Sequence, residues 1–248
     1  MIQFFRKLRQ NSVLNNKTFN YLKYALGEVL LVVVGIFIAI QANEWKNKQQ
    51  DLKHLNTALN DIHDELVKDS SFLVDALERT TIEFNLIDSH RKRVYDEQAT
   101  LDTLVKIIRD EFSVFWVGQL PWNESAFENL KSTPSFEFMP EPIQNKLSDF
   151  YVIRDYLVRM VEKKNIQYQQ IFEEMTMTYS LILPDGAKKD SYIKKITWEN
   201  IESKHFVPRA SILLDNKHKV WKDYLDQLEW VQRMTRELIA DINKYLDK

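Results

Sequence analysis

The chain has no cysteine, only four glycines and only six prolines in 248 residues. Without cysteine there can be no disulfide framework and no thiolate metal site. The scarcity of glycine and proline is uneven. Neither occurs between Gly35 and Gly118. A β-sandwich needs a turn roughly every 8–12 residues, so this stretch predicts long helices. No G-x-S-x-G, P-loop, G-x-G-x-x-G or H-E-x-x-H pattern occurs, which removes the common signatures of hydrolases, nucleotide-binding enzymes and zinc peptidases. The reading is not an enzyme, with no catalytic residue, no metal site and no cofactor expected.

The five histidines form only weak ligand patterns. Glu202 and His205, Asp51 and His54, and Asp215 and His218 each stand three apart. A di-iron bundle needs two such motifs and two further carboxylates, so these read as surface pairs. His63 lies among Asp61, Asp64 and Glu65, as on a charged helix face.

What the chain does have is one greasy stretch, "ALGEVLLVVVGIFIAIQANE", from Ala25 to Glu44. Val29 to Ile40 is unbroken apolar sequence, and ten of its twelve residues are Leu, Ile, Val or Phe. On an insertion scale these contribute roughly −3 to −6 kcal/mol, while one charge near an edge costs less than about 2.5–3.5. Twenty residues of helix reach about 30 Å, the thickness of the hydrocarbon core. Tyr21, Tyr24 and Trp45 flank the segment as an interfacial belt. A long basic lead and the lack of a small-x-small site argue against signal cleavage. The expectation is an uncleaved single-pass transmembrane helix over 21–45.

Charge gives its orientation. Residues 1–24 carry Arg6, Lys7, Arg9, Lys17 and Lys23 and no acid, and the body beyond residue 45 has 29 basic and 34 acidic residues. Such a distribution is not that of a nucleic-acid binder. The positive-inside rule sets the N-terminus in the cytoplasm and residues 46–248 in the periplasm, across the inner membrane of a bacterium. In "MIQFFRKLRQ", Met1, Phe4, Phe5 and Leu8 share one helical side and Arg6, Lys7 and Arg9 the other, so residues 1–20 read as a basic amphipathic tip on anionic lipid.

"FFRKLRQ" followed by "YLKYALGEVLLVVVGIFIAIQANEW" resembles the opening of an uncharacterised family of single-pass membrane proteins common in Bacteroidetes, domain of unknown function 6090. The shared order is a basic FFR-type start, a YA-x-GE entry, a V-x-x-G-I-x-I-A run and a Q-x-N-x-W exit. A weaker echo lies in "ESAFENLKSTPSFEFMPEPIQNKLSDFY", with Thr133-Pro134 where the family usually has glycine. The resemblance implies the same topology and no chemistry.

Beyond Trp45, Leu52, Leu59, Leu66 and Leu73 share a heptad frame with Leu55, Ile62 and Ala76, broken once at Asp69. The stalk can pair with its own copy, as a coiled coil, or with later helices of the chain. Asp69-Ser70-Ser71 or Thr80-Thr81 can mark a bend or break. Thr100 is the expected N-cap of a helix through Ile108. "GQLPWNES" reads as a loop before a short helix through Phe127 and Leu130. "STPSFEFMPEP" reads as an irregular connection with a strand-like touch at Phe136 and Phe138. A long helix from Ile143 to Tyr179 is followed by a turn at Pro184-Asp185-Gly186, and a last helix starts at about Lys217. The predicted fold class is all-α: one transmembrane helix continuing into an antiparallel helical bundle.

Two surfaces stand out. Glu28, Gly35, Ala39 and Ala42 fall within about 60° on a helix, a small-residue face suited to close helix approach. Phe115, Trp116, Pro121 and Trp122 put apolar side chains into a loop, which implies a partner surface or an internal contact. The partners expected are the lipid bilayer, a second copy through span and stalk, and a further protein. The function expected is a scaffold component of the envelope, with ligand sensing through a membrane partner as the alternative.

Overall fold

The structure is a computed structural model. It describes residues 18–118, 120–179, 181, 192–199 and 201–247. The tip residues Phe4, Phe5, Arg6, Lys7 and Arg9, and the turn Pro184–Gly186, lie outside them. Among the described residues there are six α-helices and no strand. They are α1 (Thr18–Val94), α2 (Leu101–Lys106), α3 (Ser125–Lys131), α4 (Glu141–Tyr179), α5 (Tyr192–Glu199) and α6 (Ser203–Leu246). The all-α class is as predicted.

The chain forms two compact units, Met1–Asn56 and Thr57–Lys248. In the first unit, α1 carries an 18-residue apolar window of which no residue is buried. By length and composition this helix can cross a membrane. Tyr24 and Trp45 are exposed, Glu28 is half-buried, and Leu55 is buried.

In the second unit the heptad stripe of α1 turns inward. Leu59, Ile62, Leu66, Leu73 and Ile87 are at most 1% exposed. Each contributes about 1.5–3 kcal/mol by burial. The stripe is therefore covered within the chain. Neither place breaks the helix: α1 is helical throughout, and Ser71 Oγ donates to Lys68 O at 2.7 Å and Thr81 Oγ1 to Leu77 O at 2.7 Å. Both hydroxyls are satisfied by the turn behind them, so they do not compete with the helix for other partners.

The core consists of α4 and α6 packed along each other, with α1 against both. Lys146 pairs with Asp241 at 2.6 Å, Lys164 pairs with Asp223, and Tyr179 stacks edge-on to Phe206. Residue numbers rise on α4 as they fall on α6, so these helices are antiparallel. Arg91 with Asp215 and Asp88 with His218 give the same sense for α1 and α6. Both α1 and α4 thus run antiparallel to α6, which leaves α1 and α4 parallel to each other. Trp198 of α5 closes against Tyr179 and Phe206.

Two sequence expectations need correction. The last helix begins at Ser203 and not near Lys217, running through Pro208. An internal proline costs about 3 kcal/mol, but Phe206, Leu213 and Leu214 beside it are at most 1% exposed, and their burial outweighs that cost. The strand-like touch at Phe136 and Phe138 is a 3₁₀ turn, Pro134–Phe138. Pro134 presets its φ, and the Phe136 ring lies 6.3 Å from that of Phe127. The Thr100 cap is present with Thr103 as its reciprocal partner.

Candidate functional site

Residues 112–118 and 120–124 leave helical structure and run as a strap across the bundle between α2 and α3. The local sequence explains this. Phe112 to Val117 are mostly aromatic or β-branched, favouring extended backbone, and Gly118 and Pro121 oppose a helix. Two buried charge clusters fasten the strap.

At its start the cluster is built on Lys217, which is 1% exposed. Its Nζ donates to the Ser113 carbonyl, lies 3.7 Å from Glu83 Oε2, and sits 4.7 Å above the Phe112 ring. Ser113 Oγ donates to the same Glu83 carboxylate at 3.0 Å. Burial pulls the Lys217 ammonium down to about 8, against the raising influence of Glu83.

At its end the cluster is built on Arg154 and Asp69, each with a side chain 2% exposed. Arg154 Nη1 donates to Asn123 O at 3.0 Å and lies 3.5 Å from Asp69 Oδ2, while Nη2 donates to Glu124 at 3.0 Å. The guanidinium lies 4.8 Å from the Tyr151 ring centre and 5.5 Å from that of Trp122. Asn123 Nδ2 donates to Asp69 Oδ1 at 2.6 Å. Burial raises the Asp69 carboxyl above its ordinary range, with Asn123 and Arg154 pulling it back. One turn before Asp69, Glu65 receives Ser125 Oγ at 2.6 Å and the Ala126 N–H at 3.2 Å. A carboxylate of α1 thereby caps the N-terminus of α3, as the helix dipole favours.

Near α2 a third group gathers. Arg93 holds Glu111 through both guanidinium nitrogens and keeps that carboxyl below its usual range, while burial lowers His90. Arg91 and Tyr95 both donate to Asp215 at 2.7 Å. His218 lies 3.2 Å from Asp88 and 3.3 Å from Arg91 Nη1, so Asp215 and His218 meet on the same arginine. His205 meets Glu202 at 3.4 Å on an exposed surface, and His63 meets Asp64 at 3.2 Å. Among the described residues, no group of three or more His, Asp or Glu is placed to hold a metal.

The four loop residues divide. Trp116 lays its ring 5.3 Å from Tyr168 and 5.1 Å from Phe172, and Trp122 packs over Arg154. Phe115 is 68% exposed and Pro121 is exposed. Two clefts flank the strap. One, about 560 Å³, lies toward α1 between Phe72, Ile82, Trp116 and Trp221. The other, about 390 Å³, lies toward α4 and α6. On α1, Gly35, Ala39 and Ala42 are exposed, and a Cβ built on Gly35 meets nothing within 4 Å.

No family model, curated protein or solved structure matches the chain. The residues that fasten the strap, Asp69, Arg154 and Lys217, were not singled out as site residues in the sequence. Their only signal was Asp69 breaking an apolar frame.

Proposed function

We propose that the protein is a membrane-anchored helical interaction module of the bacterial envelope. Residues 21–45 cross the inner membrane, the basic tip 1–20 stays cytoplasmic, and residues 46–248 fold in the periplasm. The observation that carries this reading is the contrast along α1. Its apolar window is wholly unburied, while its later leucines are buried. A helix that exposes so much aliphatic surface needs lipid or protein around it. The Lys/Arg excess before the span supports the orientation, and the resemblance to the Bacteroidetes membrane family supports the same arrangement. The face of Glu28, Gly35, Ala39 and Ala42 supports pairing of two copies, and exposed Phe115 with Pro121 supports a protein partner at the strap.

Alkaline phosphatase fused after Lys248 tests the orientation: activity is expected, and an inactive fusion with an active cytoplasmic reporter would reverse it. Crosslinking of the tagged protein in native membranes, followed by mass spectrometry, tests the role. A reproducible envelope partner is expected, and its absence would overturn the module reading.

A further inference from the structure

From Phe112 to Gly118 the strap is neither helical, turned nor bent. In extended backbone the N–H and C=O of one residue point to the same edge, and successive residues alternate between edges. The odd-numbered residues of the strap are tied to the bundle. The Ser113 carbonyl accepts from Lys217 Nζ, the Phe115 N–H donates to Ser113 Oγ at 3.5 Å, and the Val117 carbonyl accepts from Asn165 Nδ2 at 3.3 Å. Val114 and Trp116 therefore present their N–H and C=O groups on the other edge. Among the described residues, none of these four main-chain groups has a hydrogen-bond partner.

This edge lacks the usual protection. Strand edges are blunted by charged side chains or proline, and residues 112–118, "FSVFWVG", contain neither. Val114, Phe115 and Trp116 are all exposed. The cleft of about 560 Å³ opens beside them, walled by Phe72, Ala76 and Ile82 of α1 and by Phe115 and Trp116. Phe72 and Ile82 are themselves exposed. Free main-chain donors and acceptors in alternation are matched by another polypeptide backbone, and an apolar pocket beside them selects a side chain. A second copy of the strap fits this poorly. Antiparallel pairing of Val114 and Trp116 about a two-fold axis sets Phe115 opposite its own mate, and both clefts stay unfilled.

We propose that the outer edge of the strap binds an extended segment of a partner protein by strand addition. The segment exchanges main-chain hydrogen bonds with Val114 and Trp116 and seats one large apolar side chain in the cleft toward α1. This rests on the strap as a protein-partner surface and names the form in which the partner is recognised.

The test uses the full chain in lipid nanodiscs as bait for a phage-displayed library of random dodecapeptides. Peptides with apolar residues at alternate positions are expected to be enriched, and the strongest is synthesised and measured by fluorescence anisotropy. N-methylation of its backbone, one residue at a time, should weaken binding about tenfold at every second position near its centre and little at the positions between. Val114→Pro removes one outward donor and should weaken binding by a similar factor, while Val114→Ala, which keeps the N–H, stays close to wild type. Phe72→Ser should relax the preference for a large apolar residue at one position. The N-methyl scan uses wild-type protein and decides the matter even if Val114→Pro folds poorly. No enriched peptide, or an N-methyl scan without period two, overturns the proposal. So does a chain that dimerises in a manner abolished by Val114→Pro and binds no peptide, which would give the edge to a second copy. An envelope partner crosslinked in native membranes alongside a flat scan would leave the module reading standing and remove strand addition alone.

Discussion

Replacing Arg154 by methionine is the most direct probe of how the strap is held. The methionine keeps an unbranched apolar stem and removes the guanidinium that lies over the Tyr151 and Phe150 rings. Asp69 is then left at 2% exposure with only the Asn123 donors. Removing one partner of a buried ion pair costs about 3–5 kcal/mol, because the remaining charge is uncompensated. A unit of this size loses roughly 2–4 °C per kcal/mol, so Tm should fall by about 6–20 °C. The sign of the pH dependence is fixed. Burial already raises the Asp69 carboxyl in the folded state, and losing Arg154 raises it further. A carboxyl with a raised folded value binds more protons folded than unfolded, so its stabilising contribution is present in acid and lost as pH rises. The R154M penalty should therefore be smaller at pH 5 than at pH 8. Adding Asp69→Asn, which removes the stranded charge, should recover part of the loss in a double-mutant cycle. Tryptophan fluorescence of the full chain in detergent micelles follows unfolding directly, with Trp122 near the substitution. A variant within about 1 kcal/mol of wild type, or a penalty equal at both pH values, would refute the buried-pair account.

Other expectations follow from the same structure. Lys217→Met should alter the pH profile: wild-type Lys217, at about 8 folded against 10.5 unfolded, penalises the fold fully below pH 8 and progressively less up to 10.5. Wild type should thus gain about 2–3 kcal/mol on K217M between pH 7 and 10 in urea titrations, and parallel profiles would contradict the assigned burial. Glu65→Ala removes the cap on α3 and should cost about 1–2 kcal/mol, with faster amide exchange at Ala126; unchanged exchange there would show that the cap is idle. Gly35→Ile should weaken self-association of the span in a membrane two-hybrid assay without lowering the stability of the bundle, since a Cβ at this position meets nothing within 4 Å; undiminished association would remove this face from any interface.

The sequence was informative where physics is local. The period of Leu59, Ile62, Leu66 and Leu73 required a buried helical stripe, and Thr100 marked a helix start by its own hydrogen bond. It misled where distant packing outweighs local preference. The last helix was expected from about Lys217, yet it starts at Ser203 and passes through Pro208, with Phe206 and Leu213 buried around it. Phe136 and Phe138 alternate as in a strand, yet Pro134 winds them into a 3₁₀ turn. The strap was visible as apolar residues in a loop. The two clusters that fasten it were not, because Arg154 with Asp69 and Lys217 with Glu83 join residues far apart in the chain. Nothing in one sequence announces such pairings.

The polar interruptions in the α1 stripe bear on how that helix finds its place. Asp69 and Glu83 stand fourteen residues apart on one face, one facing Arg154 and the other Lys217. A leucine stripe alone is indifferent to a slide of one heptad, about 10.5 Å. Here such a slide would strand both buried cations at once, bringing Ala76 to one of them. The stripe repeats in shape but not in chemistry, so it carries an address. Excising seven residues between Asp69 and Glu83 would preserve every leucine spacing and still leave the helix with two incompatible alignments, each satisfying one cation and abandoning the other.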